Sequence, residues 1–178
     1  MLSFVSGTSS KPLLFETVDD VLRRAVASGA GRAAIVAPQQ GVRYTFQEFD
    51  EAVDRIARGF LAFGLEPGAR VGIWAPNCVE WLLSMFGAAR AGLILVNINP
   101  AYRTYELEYA LRLVGCSALV FAAAYKDSDY LGMLQQLMPE LATAPAGRVR
   151  AARLPDLRLL VRIGDLPFEF RPGDSATA

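Results

Sequence analysis

The chain has 178 residues, 53% hydrophobic and 20% charged, a composition that suits one core-rich domain, or one domain with a fragment of another. Its 18 basic and 18 acidic residues cancel, which leaves no electrostatic footprint for nucleic acid or an anionic membrane. It has no histidine, so Ser-His-Asp and Cys-His nucleophile systems and histidine-ligated metals are excluded within the chain.

The first twelve residues, MLSFVSGTSSKP, carry neither the long apolar core of a secretory signal nor the arginine-rich helix of a mitochondrial presequence. A helix is predicted from Thr17, whose hydroxyl can cap. Asp19 and Asp20 suit its positive end, and Val18, Val21, Leu22, Ala25 and Val26 share one face. The glycines of Ser28-Gly29-Ala30-Gly31 end it. Residues 33–37 and 42–45 read as a hairpin turning through Pro38-Gln39-Gln40-Gly41.

Thr45 and Glu48 form a capping box for a second helix. That helix puts Phe46, Phe49, Val53, Ile56, Ala57, Phe60 and Leu61 on one stripe, with Asp50, Glu51, Asp54 and Arg55 toward water. Gly64 stops it, Pro67-Gly68 turns, and a strand is expected over 71–75. A helix over 79–91 follows, with small residues Gly87, Ala88, Ala89 and Ala91 that permit close approach. Gly92 then ends it and 93–96, continuously apolar, reads as a strand covered on both faces. The apolar stretch 81–98 is interrupted by Arg90 and Gly92 and is a buried helix and strand, not a membrane span.

Asn97, Asn99 and Pro100 close the strand and aim a short loop outward, at the sheet end where open α/β proteins place ligands. A helix is predicted over 104–114, stopped by Gly115, then a strand over 118–121. A further helix capped by Asp127 or Ser128 turns Tyr130, Leu131, Leu134, Leu137 and Met138 inward. A low-order segment with Arg148, Arg150 and Arg153 runs to Pro155, and 157–163 is the last strand. The β-α-β-α-β-α-β order predicts an α/β fold, a Rossmann-like three-layer parallel sheet with helices on both faces and a small additional hairpin. The order stops without a closing helix, as in a domain cut short, and an unfinished sheet presents an edge and an apolar face.

The remaining motifs point to structure more than to chemistry. Gly29-Ala30-Gly31-Arg32-Ala33-Ala34 has the letters of a dinucleotide fingerprint, but follows a helix and precedes a strand, the reverse of what pyrophosphate binding needs. Cys78, near a helix start, and Cys116, beside a strand, read as free core thiols. Asp19 with Asp20, and Glu106 with Glu108, are too close in sequence to converge on a helix, so capping and solvated faces account for them. Arg148, Arg150, Arg153, Arg158 and Arg162 lack interleaved aromatics and read as a solvated linker.

Three stretches together carry a family likeness: residues 44–49, YTFQEF; Trp74-Ala75-Pro76-Asn77 with Glu80-Trp81; and residues 90–111, RAGLILVNINPAYRTYELEYAL. They resemble the amino-terminal portion of the adenylate-forming, AMP-dependent acyl-CoA synthetases, in particular their medium-chain fatty acyl branch. The likeness runs from about Ser6 to Ile163. It implies a leader over 1–16, the synthetase's amino-terminal subdomain over 17–163 and an unstructured divergent tail over 164–178. Full-length members use ATP, Mg²⁺ and CoA to make an acyl adenylate and then a thioester.

The family's phosphate loop, adenine motif, ribose-binding aspartate and mobile-domain lysine have no counterpart here. Ser6-Gly7-Thr8-Ser9-Ser10-Lys11 imitates the phosphate loop without its second glycine or preceding strand. The resemblance therefore implies no catalytic, cofactor-binding or metal-binding residue in this chain, and a fragment inactive alone. The partners it implies are a full-length synthetase or a second copy. It also implies an intracellular, mitochondrial setting, although no presequence is visible.

Overall fold

The computed structural model describes Gly7 and residues 13–144 and 149–164. The phosphate-loop-like run apart from Gly7, Arg148 and residues 165–178 of the expected tail lie outside the described residues. Capping chemistry sets the amino-terminal elements. Helix α1 (Val18–Gly29) starts where Thr17 Oγ1 accepts from Asp20 N at 3.1 Å and Asp20 accepts from Thr17 N at 2.9 Å. Strands β1 (Ala33–Ala37) and β2 (Val42–Thr45) pair antiparallel around a turn at Pro38–Gln40, closed by Gly41 at φ +65°. Helix α2 (Phe46–Ala62) repeats the box: Glu48 N donates to Thr45 Oγ1 and Thr45 N to Glu48.

Strand β3 (Arg70–Trp74), helix α3 (Val79–Arg90), strand β4 (Ile94–Asn97), helix α4 (Thr104–Val114) and strand β5 (Ala118–Phe121) follow. A two-residue pair, β6 (Ala124–Tyr125) and β7 (Ser128–Asp129), leads into α5 (Tyr130–Leu137), and β8 (Leu159–Arg162) comes last. The four long-range strands form a parallel sheet in the order β4-β3-β5-β8. One core packs α1, α2, α3 and the hairpin on one face; the other packs α4 and α5 on the opposite face. This is the expected three-layer α/β architecture. Fully buried Ile56 and Phe60 of α2 each contribute roughly 1.5–3 kcal/mol by leaving water. Gly87 lets α2 and α3 meet: a Cβ there would stand 2.6 Å from Ile56 Cγ2.

Several expectations shift. The strand expected at 93–96 is β4, one residue later, and it lies at the sheet edge with Ile94 49% exposed. The sequence order of strands is not their spatial order, because the chain returns past β3 to form β5. Val18 and Val21 are exposed rather than facing the core. The inward face of α1 instead carries Leu22 and the side of Asp19, drawn in by Arg90. Leu61 is exposed as well, and Asp50, expected in water, also meets Arg90.

The cap of α5 is Asp129, not Asp127 or Ser128, because Asp127 lies in the β6–β7 turn and Ser128 pairs with Tyr125 in β7. The supposed low-order linker buries Val149, Ala151 and Leu154. Arg153 is not simply solvated, since its Nε donates to Glu108 Oε1 at 3.0 Å. Glu106 caps as expected, accepting from Arg103 N at 3.1 Å.

Candidate functional site

In an open α/β sheet the natural crevice lies at the carboxyl ends of neighbouring strands whose following helices leave to opposite faces. Here those strands are β3 and β5: α3 covers one face, α5 the other. The loop after β4 crosses the same end. Asn99 shapes it: its side chain accepts from Ala101 N at 2.9 Å and its carbonyl from Tyr102 N at 3.0 Å. Asn99, Pro100 and Tyr102 thus build a turn.

Side chains fill the crevice itself. Trp74, the last residue of β3, lies flat on Tyr130, the first of α5, with ring centroids 3.5 Å apart and planes 9° apart. The Tyr130 hydroxyl donates to the Pro100 carbonyl at 2.5 Å. Burial pushes that phenol up to about 12. Trp74, Phe121 and Tyr130 are all buried. The two aromatic rings therefore clamp the three loops together at this point. Nearer the surface, Arg103 Nη2 pairs with Asp127 Oδ2 at 2.9 Å, linking the β4 loop to the β6–β7 turn.

A groove of about 700 Å³ near this end lies between the hairpin and the start of α3. Ile35, Gln40, Asn77, Cys78, Trp81 and Leu82 are among its lining residues. Cys78 occupies the cap position of α3 without capping it; Gln40 does so from the hairpin turn. Val79 N donates to Gln40 Oε1 at 2.8 Å, and Gln40 Nε2 donates to the buried Glu80 carboxylate at 2.9 Å. Burial raises the Cys78 and Cys116 thiols to about 11 each, so neither is a thiolate nucleophile at neutral pH. The helix start that could have activated Cys78 does not outweigh its burial.

Among the described residues no three of His, Cys, Asp or Glu converge to hold a metal ion, and no helix is long and apolar enough to cross a membrane. The Gly29–Ala34 run lies at the α1–β1 junction with Gly29 closing a helix, away from any phosphate cradle. Sequence reasoning missed the Trp74–Tyr130 stack and the Gln40 cap. Tyr130 was identifiable as inward-facing, but nothing local names a partner 56 positions away.

Comparisons with known proteins converge on one group. The family model described as AMP-binding enzyme matches residues 22–160. Medium-chain acyl-CoA ligase ACSF2, mitochondrial, of Danio rerio is 46% identical over 159 residues, covering 89% of this chain and 26% of that protein. Its Homo sapiens counterpart is 41% identical over 162 residues, with 91% and 26% covered. The chain thus spans about a quarter of the length of these relatives. In fold, it is similar to the N-terminal domain of FACL13 from Mycobacterium tuberculosis, with a TM-score of 0.69 at 22% identity over 83% of this chain and 34% of that one.

Proposed function

The chain belongs to the AMP-binding enzyme family, and from that premise we propose that it is the amino-terminal scaffold of an ATP-dependent medium-chain fatty acid–CoA ligase. The observation that carries this reading is the 46% identity to a medium-chain ligase, over nearly the whole chain but only 26% of the ligase. ATP, Mg²⁺ and CoA would serve the complete ligase. Phosphate chemistry needs clustered backbone donors, a cation and metal ligands, and among the described residues no three His, Cys, Asp or Glu side chains converge to hold the metal. In this reading the chain holds the carboxyl ends of β3, β4 and β5 in register, and the adenylating groups come from other sequence. Its compartment follows that of the relatives, the mitochondrion.

A chimera tests this directly. Residues 17–163 are placed in the matching region of the Danio rerio ligase. The chimera is expected to retain medium-chain acyl-CoA formation. A folded, soluble chimera without activity would overturn the scaffold reading.

A second reading, association with a full-length synthetase, is favoured by the strand edges. Among the described residues β4 pairs only with β3 and β8 only with β5, so each presents unpaired backbone groups. Co-sedimentation with a full-length synthetase is expected under this reading. Independent sedimentation of the two would rule it out.

A further inference from the structure

Exposed apolar surface concentrates around the start of α1. Of the eleven large apolar side chains exposed among the described residues, five lie within residues 13–21: Leu13, Leu14, Phe15, Val18 and Val21. Leu13, Leu14 and Phe15 are 82%, 69% and 95% exposed and belong to no helix or strand. Val18 and Val21 carry the patch along the outer face of α1, whose inner face is docked through Leu22.

Direction and charge select what can cover this patch. Successive side chains leave the backbone in different directions, in extended and helical chain alike. Apolar surface at three consecutive positions therefore surrounds the backbone. A protein groove takes alternate side chains of such a segment and leaves the others wet. A fluid apolar phase closes around all three. The charges beside the patch are tied down: Glu16 pairs with Arg24 and Asp19 with Arg23, each at 2.7 Å, and Asp20 accepts from the Thr17 backbone and hydroxyl. Over residues 11–24, Lys11, Arg23 and Arg24 balance Glu16, Asp19 and Asp20. With no net charge to attract or repel anionic headgroups, the patch matches a zwitterionic lipid surface.

We propose that residues 13–15, with the outer face of α1, form a peripheral anchor that enters the headgroup–acyl boundary of a zwitterionic lipid layer. The three side chains together carry about as many carbons as a myristoyl chain, whose partition constant is about 10⁴ M⁻¹, so the attachment is weak and reversible. The proposal stands apart from the ligase reading, because it rests only on the surface of residues 13–21.

The test is co-sedimentation of the full chain with phosphatidylcholine vesicles at up to about 5 mM lipid, with and without about 0.5 M NaCl. The wild type is expected to partition onto the vesicles equally at both salt concentrations. The double variant Leu14→Asp/Phe15→Asp is expected to lower that partition at least about tenfold. A polarity-sensitive fluorophore on Leu14→Cys, in a Cys78→Ser background, is expected to shift blue when vesicles are added. The same label on Tyr105→Cys, an exposed position of α4, is expected not to shift.

A wild type that stays in solution throughout this range would overturn the proposal. So would partition that the double variant retains, that salt abolishes, or that shifts the label at 105 and not at 14. Self-association of the wild type without lipid, removed by the double variant, would also overturn it, because a second copy would then cover the patch. Binding to a full-length synthetase that the double variant loses would count against it in the same way. Circular dichroism of each variant guards against misfolding, since Leu14, Phe15 and Tyr105 are exposed and contribute little to the core.

Discussion

Trp74 and Tyr130 lie face to face at the carboxyl end of the sheet, 3.5 Å between centroids, although 56 positions separate them. The stack joins the end of β3 to the start of α5, and the Tyr130 hydroxyl extends the tie to Pro100. One aromatic pair thus holds the three loops that border the switch point.

Tyr130→Phe keeps the ring and leaves the Pro100 carbonyl without its donor, so it is expected to cost about 1–2 kcal/mol in urea denaturation. The pH dependence distinguishes the hydroxyl from the ring. Because the folded phenol is raised from 10 to about 12, its contribution is complete below pH 10 and is lost as pH rises through about 12. The difference between wild type and Tyr130→Phe is expected to shrink over that window.

Arg90 joins three helices. Its Nε donates to Asp19 at 2.6 Å, its Nη1 to the Asp50 carbonyl at 2.9 Å and its Nη2 to the Asp50 carboxylate, with its own side chain only 8% exposed. Arg90→Leu leaves the partly buried Asp50 carboxylate without this partner and Asp19 with Arg23 alone, and is expected to lose about 2–4 kcal/mol. Burial alone would raise Asp19, but its bonds to Arg23 and Arg90 outweigh that and hold it low. A group so lowered stabilises the fold above its ordinary value of 3.8 and loses that effect as pH falls through its folded value. The wild-type advantage over Arg90→Leu should accordingly fade in acid.

Gly87→Ala forces a methyl group into Ile56, whose Cγ2 and Cβ lie 2.6 and 2.9 Å from the site, with the Ala57 backbone behind at 3.3 Å. Ile56 is fully buried and has nowhere to go. The helices must separate, at about 1–3 kcal/mol, visible as a lower urea midpoint.

Gln40→Leu removes the cap of α3 and a partner of Glu80, for an expected loss of about 1–3 kcal/mol. Adding Glu80→Leu is expected to recover part of it, because the buried carboxylate is then gone. A double variant as unstable as the sum of the singles would show that the two side chains act independently.

What could be read from the sequence was what neighbouring residues decide. The Thr45–Glu48 box spans three positions and the Phe49–Phe60 stripe follows one helical period, so both were visible without the fold. The β-α alternation gave the three-layer sheet for the same reason. Long-range pairing was not visible. Asp19 lies 71 residues from Arg90, and nothing near it distinguishes an ion-pair partner from a dipole-compensating acid. The β6–β7 pair is too short for periodicity to register. The stretch up to Pro155 looked like a linker because its arginines hide the apolar series Val149, Ala151 and Leu154. At the candidate site, the turn at Asn99–Pro100 was legible from residue type, whereas the aromatic stack that fills the crevice depends on the α5 start finding β3.

On the scaffold function proposed above, the chain carries none of the adenylating groups of a ligase. ATP–pyrophosphate exchange by the purified 178-residue chain, with medium-chain fatty acids and Mg²⁺, tests it most directly. No exchange above background is expected, alongside a cooperative unfolding transition that shows the chain folded. Fatty-acid-dependent exchange by the chain alone would contradict the account.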